Sequence, residues 1–350
     1  MNIYAFWILN AILFLGQLIL LLFLAWRKQK LTAKERTITE QYDALTDVFS
    51  SYMMDPSDER FIQEIHSASH KGVVLERLLN GYVSVTKGSV TSPLVAKLSE
   101  DFLTARYAKQ LMRKSWAIRM NTLYFIEDFH MQSLTPLLKE KLRKTVRLDQ
   151  ETQQLIRTLA SLNEPITISV LAQYPDAPVR LYIDVFKRLE EHSSLEELNA
   201  ALSEETNNKA LKHAAISYIG MAGLIAFLPR IEKELQTQDV EIRIQALKSI
   251  FHLQYISDPI LLTPFFQSLS WQERMFASQI AGRLQLSRFK EVLSELLGDS
   301  VWWVRYSSAE ALTQFSDGDI LLTHLSAYHP DRFARDMATQ WKSSLLGSEK

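Results

Sequence analysis

Over most of this chain, apolar and polar positions follow the 3.6-residue period of amphipathic helices. The clearest case is the stretch 299–312, DSVWWVRYSSAEAL, which reads as a turn followed by a helix. Val304, Ser308, Ala311 and Leu312 fall on one face of that helix. The same pattern occurs in three upstream stretches, at 211–220, 241–250 and 273–284. With only 10 glycines in 350 residues, the pattern predicts an all-α chain.

The four stretches are copies of one unit that recurs every 31 residues. Near the start of each helix stands a basic residue, and the four are Lys212, Arg243, Arg274 and Arg305. Three positions later stands a small residue, and these are Ala215, Ala246, Ala277 and Ser308. A fixed period of about 20–50 residues is typical of a solenoid, whose repeats bury their apolar faces against their neighbours. The small residues then let paired helices approach closely.

Weaker copies of the unit surround the regular ones. Their basic residues are Arg119, Arg157, Arg180 and Arg335. Successive gaps of 38 and 23 residues between the first three indicate irregular early repeats. We therefore predict an α-solenoid of helical hairpins over 93–350, with six to eight pairs wound in a right-handed superhelix.

The N-terminal segment from Ile3 to Trp26 contains no charged residue. It is long enough to cross a bilayer, which takes roughly 20 residues of helix. Tyr4, Trp7 and Trp26 lie near its ends, where aromatic residues anchor a span at the membrane surface. A cleaved signal peptide is the alternative, but no basic residue precedes the apolar run and no small-residue cleavage site follows it. We predict a single transmembrane helix over 1–26.

Basic residues on one side of the span predict its orientation. Five of them follow it at once: Arg27, Lys28, Lys30, Lys34 and Arg36. Because such residues stay in the cytoplasm, the N-terminus is expected outside and the C-terminal domain inside, at a bacterial inner membrane.

A helical stalk is predicted over 27–56, before short helices and a loop over 57–92. Apolar residues recur along the stalk at spacings of 4, 3, 4 and 3, close to a coiled-coil seam: Ile38, Tyr42, Leu45, Phe49 and Tyr52. Two arrangements fit this seam. The stalk pairs with a second copy of the chain, or it folds against the first helices of its own domain.

The 31-residue unit resembles a known family of repeats. A turn, a hydrophobic residue, Arg, a small residue three positions on and then Leu are similar to the inner helix of short bacterial HEAT repeats, also called HEAT-like or PBS-lyase-like repeats. The resemblance is best at 299–312 and covers 195–346, with a weaker match over 93–174. It implies a polar ladder in which the repeated Arg meets an Asp of the preceding turn. Asp176, Asp239 and Asp299 match that position, whereas Asn208 and Trp271 leave it without an acid.

Sites of chemistry are not indicated by the sequence. The chain has no Cys, which excludes thiolate metal sites and disulfides. His66 and His70 are four residues apart, and on one helix they would share a face, but no third ligand accompanies them. Acidic pairs such as Glu196-Glu197 are the solvated residues expected near helix ends. We expect neither an enzyme nor a cofactor or metal, and the net charge of −1 gives no attraction for nucleic acid.

A protein-binding groove is the functional expectation. Inner-helix positions that face neither neighbouring repeat should line it, and we assign to them Gln245, Ser249, Gln279, Arg283 and Glu310. Trp302 and Trp303, placed in the turn before an inner helix, either anchor a partner or divide between packing and surface. The expected function is a membrane-anchored cytoplasmic scaffold for a partner protein, such as a membrane glycosyltransferase. A HEAT-like lyase or glycosylase, and a sensor dimerised through its stalk, are the alternatives.

Overall fold

A computed structural model describes residues 3–86, 92–164, 166–174, 176–189, 191–203 and 208–347. Within these ranges the chain is helical and contains no strand, which confirms the all-α prediction. Residues 87–91, part of the segment 57–92 for which short helices and a loop are predicted, lie outside them, as do the adjacent acids Glu204 and Glu205. The chain divides into two compact units, Met1–Leu162 and Asn163–Lys350.

The first unit begins with one uninterrupted helix. Its α-helices are α1 (Ile3–Met54), α2 (Arg60–Ser67), α3 (Lys71–Val85), α4 (Pro93–Leu111), α5 (Trp116–Asp128), α6 (Thr135–Arg143) and α7 (Gln150–Ser161). Helix α1 continues from the apolar segment into the stalk, so the boundary predicted at residue 26 is not a break in the backbone. Its large apolar side chains from Ile12 to Trp26 are exposed. This helix is long and apolar enough to cross a membrane.

The second half of α1 folds against its own unit. Ile38, Leu45, Phe49 and Tyr52 are buried where α1 packs on α2 and α3. Phe61 of α2 contributes to this core, with its ring centroid 5.3 Å from that of Phe49. Of the two arrangements open for the stalk, the structure shows the folded-back one, because most of the apolar seam is buried against α2 and α3 of the same chain.

The second unit is an array of helical hairpins. Its α-helices are α8 (Ile166–Leu171), α9 (Val179–Phe186), α10 (Glu191–Ala201), α11 (Lys209–Ala222), α12 (Leu228–Glu234), α13 (Val240–Leu253), α14 (Trp271–Arg283), α15 (Lys290–Leu296), α16 (Trp302–Thr313), α17 (Gly318–Tyr328) and α18 (Arg332–Gly347). The inner helices α9, α11, α13, α14, α16 and α18 contact one another in that order. The outer elements α12, the 3-10 helix Pro259–Gln267, α15 and α17 pack on the inner helix that follows each of them.

Helix starts correct the register of the early repeats. Each repeat residue from Lys212 to Arg335 is the fourth residue of its helix, as is Arg119 in α5. Arg157 lies in the middle of α7 and Arg180 is the second residue of α9, so neither is the repeat residue. The fourth residues there are Gln153 and Tyr182. With these two, successive repeat residues from 119 to 335 are 29 to 34 apart, and the irregular gaps disappear.

The small residues lie where inner helices meet. Ala215, Ala246, Ala277 and Ser308 are all fully buried. Two glycines, each the twelfth residue of its helix, bring backbones closer still. A Cβ on Gly220 would lie 2.7 Å from Ser249 Cα, and one on Gly282 would lie 2.5 Å from Ala311 Cα. Helices α11 and α13, and likewise α14 and α16, therefore pack nearly backbone to backbone.

Gly282→Ala is expected to destabilise the second unit, although alanine is the better helix former by about 1 kcal/mol. The new methyl would overlap the Ala311 backbone, which cannot turn aside as a side chain can. We expect a net loss of about 1–3 kcal/mol in the free energy of unfolding by denaturant. Gly81→Ala in α3 is the matched control, because its Cβ would meet only the Tyr42 hydroxyl at 3.7 Å and should not destabilise.

Candidate protein-interaction surface

In five helices, α5, α13, α14, α16 and α18, a guanidinium at the fourth position ties the preceding turn to the helix. Nη1 of Arg119, Arg243, Arg274, Arg305 and Arg335 donates to the carbonyl oxygen six residues earlier. In all but Arg243 it also donates to the carbonyl five residues earlier. In α7, Gln153 donates to the Leu148 carbonyl in a similar way. The recurrence of this residue therefore has a structural origin, since it satisfies carbonyls that the turn leaves without helical partners.

The fourth residues of α5, α11, α13 and α14 also form ion pairs with acids of the next repeat, and we call this series the ladder. Arg119 pairs with Glu151, Lys212 with Glu234, Arg243 with Glu273, and Arg274 with Asp299, at 2.6–3.0 Å. The Arg119 guanidinium holds the pKa of Glu151 below its usual value. In the α9 repeat a neutral bond replaces the ion pair, because Asn208 Nδ2 donates to the Tyr182 hydroxyl. These rungs make the four regular repeats one continuous polar network.

Two details of the ladder differ from the sequence expectation. The turn before α14 was expected to lack an acid, yet Glu273 of the first helical turn supplies one and is only 1% exposed. Asp239 pairs not with the repeat residue Lys212 but with Lys209, which lowers the Asp239 pKa. Glu273 from the first turn of α14 and Glu234 from the end of α12 thus replace the Asp of the consensus.

Trp302 and Trp303 form an aromatic surface at the start of α16. They are the first two residues of the helix rather than part of the preceding turn, as the sequence had suggested. Their exposed fractions are 42% and 54%, and their ring centroids lie 4.7 Å apart. Tyr306 packs on Trp302 at 5.0 Å and on Trp341 of α18 at 5.0 Å. Both tryptophans therefore present large apolar area to solvent while their rings are held by neighbours.

Three of the five predicted groove residues come together. Gln279, Arg283 and Glu310 line a small cavity of about 110 Å³ between α14 and α16. Gln279 Nε2 donates to the Ser307 hydroxyl, which orients the amide. Gln314 adds a polar group to the lining, and the Phe251 ring of α13 forms an apolar wall. The cavity has the size of a side chain rather than of a metabolite.

Gln245 and Ser249 are not on this surface, so their assignment to the groove was wrong. Ser249 is 1% exposed because it lies against Gly220. Gln245 is buried and accepts a hydrogen bond from Ser217 of α11. Both residues face the preceding inner helix. They are the sixth and tenth residues of α13, whereas the cavity residues Gln279 and Glu310 are ninth in their helices.

Two further surface residues, not predicted from the sequence, occupy the equivalent positions of α13. The ninth and thirteenth positions of α13 are Lys248 and His252, and neither is buried. Lys248 Nζ lies 5.4 Å from the Phe276 ring centroid in α14. A shift of 31 residues back from Gln279 and Arg283 identifies them. This stripe of ninth and thirteenth residues is mixed in charge.

His66 and His70 do not lie on one helix. Helix α2 ends at Ser67, and His70 is the residue before α3, so the two do not share a helix face. His66 packs on Phe102 and His70 Nδ1 contacts the Ser69 hydroxyl. Among the residues the structure describes, no cluster of three potential metal ligands occurs.

Comparisons with known proteins identify the repeat that carries the tryptophans. An engineered protein aligns with 79% of this chain and 85% of its own, at 12% identity and a TM-score of 0.38. Human deoxyhypusine hydroxylase aligns with 72% of this chain and 100% of its own, at 14% identity and a TM-score of 0.29. The complex of CpcE and CpcF of phycocyanin lyase from Nostoc aligns with 74% of this chain and 96% of its own, at 12% identity and a TM-score of 0.29. No curated protein matches the sequence. Residues 290–318, the hairpin of α15 and α16, match the HEAT repeat family.

Proposed function

We propose that this protein is a membrane-anchored HEAT-repeat scaffold that binds a partner protein through the aromatic surface of α16. It acts by holding the partner at the cytoplasmic face of a membrane and not by catalysing a reaction. A membrane enzyme such as a glycosyltransferase is one candidate for this partner. HEAT repeats generally mediate protein–protein interaction, which supports a binding role for this array.

The observation that carries the proposal is the exposure of Trp302 and Trp303 inside the HEAT repeat at 290–318. Tryptophan is among the residues most enriched at the energetic centres of interfaces. Here two of them stand side by side and fixed by Tyr306, so little conformational entropy is lost when a partner covers them. The cavity beside Gln279 supplies polar groups on the same helix, α16.

The membrane anchor is supported by the exposure of α1. A buried core helix of a soluble protein would have its apolar side chains packed, whereas those from Ile12 to Trp26 contact solvent. Lys30 Nζ lies 5.3 Å from the Trp26 ring centroid, a pairing suited to a membrane surface. The basic residues that follow Trp26 favour a cytoplasmic C-terminal domain.

Protease protection tests the orientation. Protease added to intact cells should leave the chain beyond Arg27 intact, because it lies inside, and should digest it after the cells are opened. Detection uses a tag placed after Lys350. Digestion of the tagged domain from outside intact cells would contradict the proposed topology.

Co-purification tests the binding role. Full-length wild type and the Trp302→Ala/Trp303→Ala variant are purified from the same cross-linked native membranes. We expect the variant to lose at least one stoichiometric partner that wild type retains. Tyr255→Ala, which removes another exposed aromatic residue of the same unit, should retain it. Retention of every partner by the double variant would refute the role, and equal melting temperatures establish that its fold is intact.

A further inference from the structure

The ladder of ion pairs does not continue at Arg305. In α5, α11, α13 and α14 the fourth residue pairs with a carboxylate. Arg305 makes the two carbonyl hydrogen bonds of its repeat position but has no ion pair within the part of the chain that the structure describes. Its Nε–H is buried and has no acceptor. A buried donor without an acceptor costs about 1–3 kcal/mol, so this one calls for an explanation.

The next repeat has no acid at any position that supplies one to the other ion pairs; those positions hold Ser326, His329, Phe333 and Ala334. Asp299, which pairs with Arg274, lies six residues before Arg305. The equivalent position, six residues before Arg335, is His329. Its Nδ1 accepts a hydrogen bond from the Asp331 amide and is thus turned to its own loop. The ring of Phe333, which is 62% exposed, lies 5.3 Å from Arg305 Cζ instead of a carboxylate.

The unfilled position adjoins the aromatic surface. Trp302 precedes Arg305 by three residues, so the two side chains are neighbours on α16. The first turn of α16 contains no acidic residue, and Val301 before it provides no capping side chain. The Asp299 carboxylate just before this helix start is already engaged by the Arg274 guanidinium and the Val301 amide. A guanidinium without an ion pair among the described residues and two half-exposed indoles therefore lie on one edge of the repeat.

We infer that this edge binds a segment of the partner protein in which an aspartate or glutamate stands next to a large apolar residue. The partner's carboxylate accepts from the Arg305 guanidinium and completes the ladder where Phe333 now lies. The neighbouring apolar side chain packs on Trp302 and Trp303. A planar guanidinium is suited to two parallel bonds with a carboxylate, and the net charge of −1 gives no attraction for a polyanion. The inference rests on the proposed function and specifies the chemistry of the partner.

A peptide array tests the inference with the full chain in lipid nanodiscs. The probes are 12-residue glycine–serine peptides whose two central positions run through all pairs of amino acids. We expect wild type to bind pairs of Trp, Phe or Leu with Asp or Glu at least tenfold better than the same pairs with Asn, Gln, Lys or Arg. In Arg305→Gln the acid-to-amide ratio should fall to about one while the preference for the apolar residue stays.

Control variants separate the possible outcomes. Arg288→Gln removes an exposed arginine that lies just before α15, outside both the cavity and the aromatic surface, and should keep the acid preference. Arg305→Lys should keep a reduced preference for acidic pairs, because lysine retains the positive charge but not the two parallel N–H donors of the guanidinium. An unchanged acid preference in Arg305→Gln, a preference for basic pairs, or no selective binding by wild type would overturn the inference. The proposed function fails separately, if co-purification of partners is unaffected by Trp302→Ala/Trp303→Ala.

Discussion

Ala277→Glu is expected to unfold most of the second unit at room temperature. Ala277 is fully buried in α14, at the contact with its neighbouring inner helices. A glutamate there either buries an uncompensated charge or forces the inner helices apart, at a combined cost of about 4 kcal/mol or more. Because a whole domain is stabilised by only about 5–15 kcal/mol, circular dichroism should show a large loss of cooperative melting.

Ala327→Glu provides the comparison for this prediction. Ala327 lies in α17 of the same unit, but it is exposed, so the same added charge stays in water. Its effect should be within about 0.5 kcal/mol of wild type. If Ala277→Glu melted like Ala327→Glu, the inner helices would not be stacked as the structure shows.

Removing a ladder arginine should be costly only where a buried acid depends on it. Arg243→Met would leave the Glu273 carboxylate, 1% exposed, with only the Ser268 hydroxyl as a side-chain partner. We expect a loss of about 3 kcal/mol in the free energy of unfolding by denaturant. Arg305→Met loses the equivalent hydrogen bonds to carbonyls but leaves no buried acid without a partner. Its free energy of unfolding should therefore fall by less than about 1.5 kcal/mol.

A double substitution checks the cause. Arg243→Met/Glu273→Leu removes both charges and should recover most of the stability lost in Arg243→Met, because the cost lies in the stranded carboxylate. Equal losses for Arg243→Met and Arg305→Met would mean that the ladder acids contribute nothing, and would remove the reason for treating Arg305 as an unfilled rung.

The regular repeats could be predicted because their signal is periodic. A basic residue and a small residue recurring every 31 positions identify four inner helices, and burial of Ala215 and Ala277 follows from that spacing alone. The early repeats were misplaced because Gln153 and Tyr182 replace arginine with chemically different groups. Arg157 and Arg180 lie within a few residues of them and resemble the repeat residue in sequence. Only the helix starts show which residue is fourth.

The faces of the inner helices were harder to assign. A 3.6-residue period separates buried from polar positions, but it does not tell a polar residue facing solvent from one facing the next helix. Ser249 contacts α11 because Gly220 lets the backbones approach, which is a property of the pair of helices. The exposure of both tryptophans depends likewise on Tyr306 and Trp341, which come from two different helices.

Site-specific photo-crosslinking in native membranes tests whether α16 carries the partner-binding surface. A benzophenone amino acid replaces Trp303 in the full chain, and in a control chain it replaces Tyr255, which is equally exposed on the same unit. We predict one discrete protein adduct from position 303, lost when Trp302 is also changed to alanine, and no such adduct from position 255. The same set of adducts from both positions, or none from position 303, would contradict the claim that α16 carries the partner-binding surface.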